Sequence, residues 1–347
     1  MTCMTYLTGM TSILFIPATE MQSVFTRILL QNGFTNDSAK QCAEIFTSSS
    51  EDGVYTHGVN RFAQFVSYVR KGYVKPGAQP VLKNKMGAIE QWDGGLGPGP
   101  LNAMFATERA MQISNENGIG CVALSNSNHW MRGGTYGWKA AKAGYAFIGF
   151  TNTIANMPAW GALNSKLGNN PLVIALPYKE QAIVLDMAMS QYSFGTMEFA
   201  QMENRMLDQD GGFDINGKLT RDPSAIIESR RPLSIGYWKG AGLALLLDML
   251  ATILSGGLST HEITSREIEY GLSQVFIAIN ISKLGDHSAM AVVLENIIHD
   301  YHQSIAADPA NKIIYPGERV LETRKRNQQQ GIPVLKEVWE EIIKSKK

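Results

Sequence analysis

The hydrophobic pattern changes its period along this chain, and that change limits the possible folds more than any other feature. Near the start, apolar residues recur every three or four positions, which predicts amphipathic helices. A first helix is predicted from a cap at Thr19 to a stop at Gly33, and a second from a capping box at Ser38 and Gln41. Residues 61–71 predict a third helix, and residues 13–16 a first strand or docking segment.

The middle of the chain carries short runs that are rich in β-branched residues and bounded by glycine, proline or asparagine, as is typical of strands. The predicted strands are residues 121–125, 146–152, 172–177, 183–187 and 275–281. Helices are predicted over residues 101–117, 240–254, 288–305 and 334–344, with 240–254 as a buried core helix. The polar, turn-rich residues 208–231 predict a long surface loop.

These strands and helices do not alternate in the regular way of a doubly wound sheet, so the sequence predicts an α+β fold without a Rossmann domain. We expect a mainly helical domain built from both chain ends, residues 1–90 and 285–347. The central residues 91–284 are expected to form an α+β domain around a mixed or antiparallel sheet.

The charge balance argues against several classes of partner. Lysine plus arginine and aspartate plus glutamate number 31 each, so the formal net charge is zero. A neutral chain lacks the electrostatic footprint for nucleic acid or an anionic membrane surface. We therefore expect neither partner, and we expect any bound anion to be held by a few local cations.

Cysteine and histidine spacing gives no basis for a disulfide framework or a metal site. The three cysteines are far apart and odd in number. His299 and His302 have a chelating spacing, but no third ligand is evident, so we expect no metal.

The most apolar segment is shorter than the roughly 20 residues of a membrane span, and no basic residues precede the first apolar stretch. We therefore expect a cytoplasmic protein.

The glycine-rich residues 94–100 resemble a dinucleotide fingerprint only superficially. That motif requires G-x-G-x-x-G directly between a strand and a helix. Counted from Gly95, the third glycine position is occupied by Pro100, and prolines remove backbone donors that would face a phosphate. The segment therefore predicts a turn before the helix of residues 101–117.

His57 lies in a glycine-framed turn between two predicted helices, with Arg61 four residues further on. Histidine titrates near neutrality, which suits a general acid, and an arginine fork can hold a carboxylate. A hydrogen-bonded loop histidine beside a surface arginine explains the same pattern, so both readings stay open.

A second polar cluster, with His129, Trp130 and Arg132, follows the predicted strand 121–125. Loops at strand ends often meet ligands. The cluster offers a titratable group, a flat apolar surface and a cation, whereas Tyr136 and Trp138 are expected to pack the following helix. The concentration of reactive residue types favours a functional role.

Lys239 and Gly240 open the predicted apolar helix. A helix N-terminus offers amides and partial positive charge, to which a lysine adds a full charge, so this position suits a phosphate or carboxylate. Glycines that allow close helix packing explain the segment equally well.

Several long segments resemble the malate/L-lactate dehydrogenase family that lacks a Rossmann fold. They are VYTHGVNRF, GAIEQWD, SNHWMRGGTYGW, GNNPLVIALP, DGGFDINGKLT and IGYWKGAGLALLLDMLA, and the resemblance runs from about Phe15 onward. Residues 1–13 have no clear counterpart, and Thr56 stands where many members have serine. The resemblance implies a cytoplasmic homodimer that uses NADH or NADPH to reduce the ketone of a small, sugar-derived acid.

The same resemblance assigns roles to individual residues. The family's proton donor falls on His57. Its cofactor-binding stretches fall on Ala182, Ile183, Val184, Leu185, Asp186, Met187, Ala188, Trp238, Lys239, Gly317, Glu318 and Arg319.

The chemistry of ketone reduction agrees with these assignments. Hydride arrives at carbon while negative charge builds on oxygen, so a positioned acid must deliver a proton. We expect His57 to do this and His129 to polarise the carbonyl or orient the substrate. Arg61 and Arg132 are candidates for binding the substrate carboxylate. Asp186 is expected to accept a hydrogen bond from a ribose hydroxyl, which would favour NADH over NADPH.

Two alternatives remain at this level. The chain could be a dehydrogenase of another 2-hydroxy acid, such as malate, lactate, ureidoglycolate or sulfolactate, with the same cofactor and the same role for His57. It could also be a non-catalytic keto-acid sensor, although the combination of His57, His129 and Lys239 argues against that function.

Overall fold

The computed structural model describes residues 12–285 and 287–344, except the side chains of His287 and Ser288. The described chain forms two compact units. The first contains the residues up to Gly77 and those from Glu318 onward, and the second is Ala78–Gly317. The predicted boundaries lie elsewhere, at residues 91 and 285. In the structure, a strand pair at residues 81–93 belongs to the central sheet, and the helix His287–His302 contacts another strand of that sheet.

The first unit is mainly helical. Helices and strands are numbered in chain order through the whole protein. Its helices are α1 (Ala18–Gln31), α2 (Asn36–Glu51), a 3-10 turn (Tyr55–His57), α3 (Val59–Arg70), α11 (Glu318–Gln330) and α12 (Lys336–Lys344). Strand β1 (Ile13–Ile16) pairs antiparallel with β13 (Ile332–Leu335). The core is aromatic: the Phe25 and Phe62 rings stack at 3.9 Å, and Phe46 meets Phe62 edge-on at 5.2 Å.

Both predicted helix caps in this unit were wrong, although the helices themselves were confirmed. Helix α1 begins after Pro17, whose fixed φ suits a helix start, rather than at Thr19. Helix α2 is capped by Thr35, whose Oγ1 accepts a hydrogen bond from the Ser38 amide at 3.3 Å. Ser38 therefore lies inside the first turn and does not form a capping box with Gln41.

The second unit is built on a seven-stranded sheet with strand order β2-β3-β4-β12-β5-β8-β9. Its strands are β2 (Val81–Met86), β3 (Ile89–Asp93), β4 (Ile119–Ser127), β5 (Tyr145–Thr151), β8 (Leu172–Tyr178), β9 (Gln181–Met187) and β12 (Leu272–Asn280). The β3–β4 pair is parallel and the other pairs are antiparallel, so the predicted α+β class with a mixed sheet was confirmed.

Helices cover both faces of this sheet. The helices of the unit are α4 (Gly99–Asn117), α5 (Gly134–Lys142), α6 (Phe194–Met202), α7 (Pro223–Ser229), α8 (Trp238–Ser255), α9 (Thr260–Thr264) and α10 (His287–His302), with a 3-10 turn at Ile281–Lys283. In β12, Val275 packs in the cluster that contains α8, whereas the neighbouring Phe276 ring lies 5.8 Å from Trp130 and 6.1 Å from Tyr136 of α5. Successive side chains of a strand point to opposite faces, so α5 and α8 lie on opposite sides of the sheet.

The sheet is anchored to α4 by a buried carboxylate. The Glu90 side chain is 0% exposed and accepts hydrogen bonds from Arg109 Nε and Nη2 at 2.8 and 2.7 Å and from Trp92 Nε1 at 3.0 Å. The bidentate Arg109 contact is the main reason that the pKa of Glu90 is lowered. This ion pair fixes α4 against β3, and α4 in turn leads the chain into β4.

Helix α8 was predicted as a buried core helix, and that prediction was only half right. One side packs on the sheet through Ala241, Ala244, Leu247 and Ala251. The opposite side leaves five large apolar residues exposed, namely Leu245, Leu246, Met249, Leu250 and Ile253. Sequence periodicity did not separate these faces because nearly every position in the helix is apolar.

By length and composition alone, α8 is also the described helix that could cross a membrane, with a mean hydropathy of 1.3. The same criteria are met by helices that pack on a sheet. Asp248 near its middle accepts hydrogen bonds from Asn152 Nδ2 at 2.9 Å and from the Thr260 amide at 2.8 Å. These bonds tie α8 to the end of β5 and the start of α9.

Residues 208–231 were predicted as a surface loop but contain short regular elements. Strands β10 (Gly212–Phe213) and β11 (Leu219–Thr220) form a small hairpin, and α7 follows. Asp222 caps α7 by accepting from the Ser224 amide at 2.9 Å, with Pro223 as the first helical residue. The turn-forming residues that suggested a loop therefore include a helix start. A further pair, β6 (Met157–Pro158) and β7 (Ser165–Leu167), was not predicted.

Candidate active site

His57 ends the 3-10 turn between α2 and α3, and its side chain is half-buried. Thr56 Oγ1 lies 3.2 Å from His57 Nδ1, which orients the ring. The next residue must be glycine, because a Cβ on Gly58 would lie 2.2 Å from Ser50 Oγ. That hydroxyl accepts a hydrogen bond from the Val59 amide at 2.8 Å and so connects the turn to α2. The imidazole is therefore presented from a tightly held turn.

Helix α11 supports this turn from the other end of the chain. Arg324 donates two hydrogen bonds to Asp52, from Nε at 2.5 Å and from Nη2 at 2.8 Å, immediately before the turn. Asn327 Nδ2 donates to the Glu51 carbonyl at 2.8 Å and contacts the Tyr55 hydroxyl at 3.3 Å. These polar contacts fix the backbone on which His57 is carried.

Arg61 lies in the first turn of α3, four residues after His57, and is half-buried. Its amide donates to the Gly58 carbonyl at 3.0 Å, which completes the entry into the helix. Within residues 12–285 and 287–344, no ion pair occupies its guanidinium. The geometry therefore leaves Arg61 as a candidate for an anionic substrate group.

His129 occupies a strained loop between β4 and α5. Met131, in this loop, has a φ of 66°, which side chains other than asparagine and aspartate rarely adopt, and such strain is concentrated at functional sites. The Met131 amide donates to His129 Nδ1 at 2.9 Å. Because Nδ1 is an acceptor in this bond, the neutral ring carries its proton on Nε2, the atom that would donate to a carbonyl oxygen.

Glycines around this loop permit close packing. A Cβ on Gly99, at the start of α4, would lie 2.2 Å from the His129 carbonyl oxygen. Residues 94–98 thus form the predicted turn, and Gly99 and Pro100 begin α4 where it supports the His129 loop. Trp130 does not offer the ligand surface that we expected. It is 2% exposed, and its carbonyl accepts from the Tyr136 hydroxyl at 2.6 Å, so it belongs to the core.

Asp186, near the end of β9, faces the start of α5. Its Oδ2 accepts a hydrogen bond from the Gly134 amide at 2.7 Å. The side chain keeps solvent-accessible surface, yet protein surrounds it closely, and this desolvation raises the pKa of its carboxyl. The charge of Arg132, which is 4% exposed, and the Gly134 amide act in the opposite direction. A carboxylate that is enclosed but still accessible is suited to accept a hydrogen bond from a ligand.

Two further cofactor-binding stretches from the sequence analysis converge on β9. The Val184 amide donates to the Pro316 carbonyl at 3.0 Å, and a Cβ on Gly317 would lie 3.2 Å from the Val184 backbone. Beyond the strand, the Ile235 amide donates to the Met189 carbonyl at 2.9 Å, just before α8 begins. The structure therefore brings the 182–188 stretch beside Gly317 and close to the start of α8. Glu318 and Arg319 begin α11 in the first unit.

The start of α8 carries an unusual backbone. Tyr237, the residue before the helix, has φ 61° and ψ −121°, a conformation that costs free energy for any side chain. Trp238 is 63% exposed and Lys239 is exposed, so the indole and the ammonium face solvent, whereas the Lys239 and Gly240 amides donate to the Gly236 and Ile235 carbonyls at 3.3 and 2.9 Å. Residue spacing could not reveal this strain, nor the contact between Asp186 and the Gly134 amide.

Among the described residues, no group of three histidine, cysteine, aspartate or glutamate side chains is close enough to hold a metal ion. The described cysteines, Cys42 and Cys121, are buried free thiols, and burial raises the pKa of Cys121 to about 11. The candidate residues of the two units carry imidazole, guanidinium, ammonium and carboxylate groups, which are each suited to acid–base chemistry or to binding an anion.

Comparison with known proteins agrees with this chemistry. Residues 16–343 match the profile of a family described as malate/L-lactate dehydrogenase. The 2,3-diketo-L-gulonate reductase of Pasteurella multocida is 45% identical over 93% of this chain and 97% of its own length. That of Escherichia coli is 44% identical over the same shares.

Solved structures show the same fold. Malate dehydrogenase from Entamoeba histolytica superposes with a TM-score of 0.90 at 22% identity and covers 96% of this chain and 97% of its own. Sulfolactate dehydrogenase from Methanocaldococcus jannaschii gives 0.88 at 25% identity, with 96% of each chain covered.

Proposed function

The chain belongs to the malate/L-lactate dehydrogenase family, and we propose that it reduces 2,3-diketo-L-gulonate at C2 to 3-dehydro-L-gulonate. It is an oxidoreductase that acts on a CH–OH group. The observation that carries the substrate is the 45% identity to a 2,3-diketo-L-gulonate reductase over 93% of the chain. The assay that tests it is the oxidation of NADH with this diketo acid beside other keto acids.

The residues of the site fit the chemistry of this step. His57 is the proposed proton donor to the carbonyl oxygen that becomes the hydroxyl. His129, with Nδ1 accepting from the Met131 amide, is proposed to donate a hydrogen bond from Nε2 to the same oxygen or to a neighbouring one. Arg61 and Arg132 are proposed to attract the substrate carboxylate, which fixes C2 in place.

The nicotinamide cofactor would supply the hydride, and the second unit offers suitable groups to hold it. The exposed ammonium of Lys239 suits a phosphate, and the exposed indole of Trp238 suits a flat ring. Ala182–Ala188 and Gly317 would contribute backbone beside them, and Glu318 and Arg319 follow directly in the chain. Asp186 is proposed to accept a hydrogen bond from a ribose hydroxyl.

The Asp186 carboxylate is expected to make NADH a better donor than NADPH. A 2′-phosphate at that position would meet a negative charge in an enclosed setting. Asp186→Asn should therefore raise the NADPH-to-NADH ratio of kcat/KM, by about tenfold for a single charge contact. Because burial raises the pKa of Asp186, the wild-type preference should weaken as the pH falls and the carboxylate becomes neutral. Asp208→Asn, at an exposed carboxylate, is the control. Equal efficiency with both donors in the wild type would refute this role.

We also propose that the protein is a cytoplasmic homodimer that works in carbohydrate catabolism. The exposed apolar face of α8 is the surface that supports a dimer, because Leu245, Leu246, Met249, Leu250 and Ile253 share one side of the helix. Burying such a face between two copies would remove it from water.

Light scattering after gel filtration tests this assembly. The wild type should have twice the chain mass of 38.1 kDa, and the double variant Leu246→Glu/Leu250→Glu should have one chain mass. Ile305→Glu, at an apolar residue that is 98% exposed, should leave the dimer intact. A dimer that survives the α8 charges would place the interface elsewhere.

A further inference from the structure

A separate cavity of the second unit contains a buried arginine. The cavity has a volume of about 160 Å³, enough for a small anionic group, and its walls include Trp160, Phe213, Arg231 and Ser234. The Arg231 side chain is 6% exposed, whereas Trp160 is 50% exposed. The cavity thus combines one enclosed cation with an accessible aromatic surface.

The charge of Arg231 is only partly compensated. Its Nη2 donates to the Asp214 carbonyl, and its guanidinium carbon lies 5.9 Å from the centre of the Phe213 ring. Its Nε has no acceptor, and the described part of the chain contributes no carboxylate that pairs with it. A buried charge without a counter-charge costs several kcal/mol, so such a residue is expected where a ligand supplies the anion.

The cavity adjoins both ends of the proposed cofactor region. Its wall at Leu233 and Ser234 is bonded to the chain just after β9, where the Gln191 amide donates to the Leu233 carbonyl at 2.7 Å. The Trp160 ring lies 5.5 Å from the ring of Tyr237, the strained residue before Trp238. The walls of the cavity are therefore in direct contact with the segments that flank the proposed cofactor residues.

We propose that this cavity binds the oxyanion of a small ligand, a carboxylate or a phosphate, through Arg231, with the body of the ligand against Trp160. Guanidinium is matched to both oxyanions, and the indole face is suited to a nucleobase or to the carbon skeleton of a sugar acid. The oxyanion would complete the hydrogen bonding of Arg231 and neutralise its charge. The oxyanion would come from the cofactor phosphates or from the substrate carboxylate. These two sources rest on the proposed function, whereas the anion site itself does not.

Isothermal titration calorimetry with two unreactive probes tests the proposal without turnover. ADP represents the cofactor phosphates and L-gulonate the sugar-acid carboxylate. Arg231→Met should weaken one of these probes by about 10- to 100-fold, as expected for the loss of a charge-assisted hydrogen bond. Arg230→Met, at the exposed neighbouring arginine outside the cavity wall, removes the same charge and should change neither affinity by more than about twofold.

Loss of ADP affinity would identify a phosphate site, and loss of L-gulonate affinity would identify a carboxylate site; either result supports the proposal. Trp160→Ala, at an exposed position, should weaken the same probe and serves as the test if Arg231→Met unfolds. Unchanged affinities for both probes in these variants would overturn the proposal. A protein that keeps these binding differences but reduces no keto acid would instead refute the proposed function.

Discussion

His57→Asn is expected to lower kcat by about 10²- to 10⁴-fold while the affinity for NADH stays within about twofold. The variant keeps a polar side chain of similar reach in the tightly held turn, but asparagine cannot release a proton to the developing alkoxide. The expected split between kcat and cofactor affinity follows because the proposed cofactor groups Asp186, Trp238 and Lys239 all lie in the second unit. Steady-state turnover and fluorescence titration with NADH measure the two quantities.

His261→Asn is the matched control, since His261 is an exposed histidine on α9 and should be replaceable without effect. Full turnover by His57→Asn would remove His57 from the acid role and would make His129 the next candidate. A parallel loss of NADH affinity would show that the variant disturbs the site as a whole.

Arg324→Met is expected to lower the free energy of unfolding by about 3–5 kcal/mol, because it removes the charge and both hydrogen bonds that Arg324 supplies to the buried Asp52 carboxylate. Asp52 is 5% exposed on its side chain and accepts both hydrogen bonds of the guanidinium. The pair joins the end of α2 to α11 directly before the turn of His57, so kcat should fall as well in the fraction that remains folded. Urea unfolding and turnover per folded molecule are the measurements.

Two variants separate this ion pair from a general effect of the substitution. Lys325→Met changes an exposed neighbour on the same helix and should cost less than about 0.5 kcal/mol. Adding Asp52→Asn to Arg324→Met should recover part of the stability, because the unpaired charge is then removed. A double variant no more stable than Arg324→Met alone would contradict the account of the pair.

The sequence predicted this fold best where the pattern was set by packing on the sheet. The strands around residues 121–125 and 183–187 were recognised because their apolar runs are bounded by turn residues, and the structure extends each by only a few residues. Helix starts were less predictable, because a cap depends on which residue leaves the helical conformation. The N-cap residues are Pro17 and Thr35, whereas Thr19 and Ser38 were predicted.

The candidate site was predictable by residue type but not by arrangement. His57 and His129 stand out as reactive residues in segments flanked by glycines, and Arg61 follows His57 in the first turn of α3. The hydrogen bond from the Gly134 amide to Asp186 connects residues that are 52 positions apart, so no local sequence pattern could predict it. Trp130 was predicted to offer a surface to a ligand because it lies beside His129 and Arg132, but its side chain is buried in the core.

The oxidation of NADH, followed by its near-ultraviolet absorbance with 2,3-diketo-L-gulonate beside oxaloacetate, pyruvate and glyoxylate derivatives, tests the central claim most directly. We predict turnover with a clear preference for the diketo acid in kcat/KM. Turnover with another keto acid only would keep the family chemistry and contradict the substrate. Intact cofactor binding without turnover of any of these acids would contradict the proposed reaction.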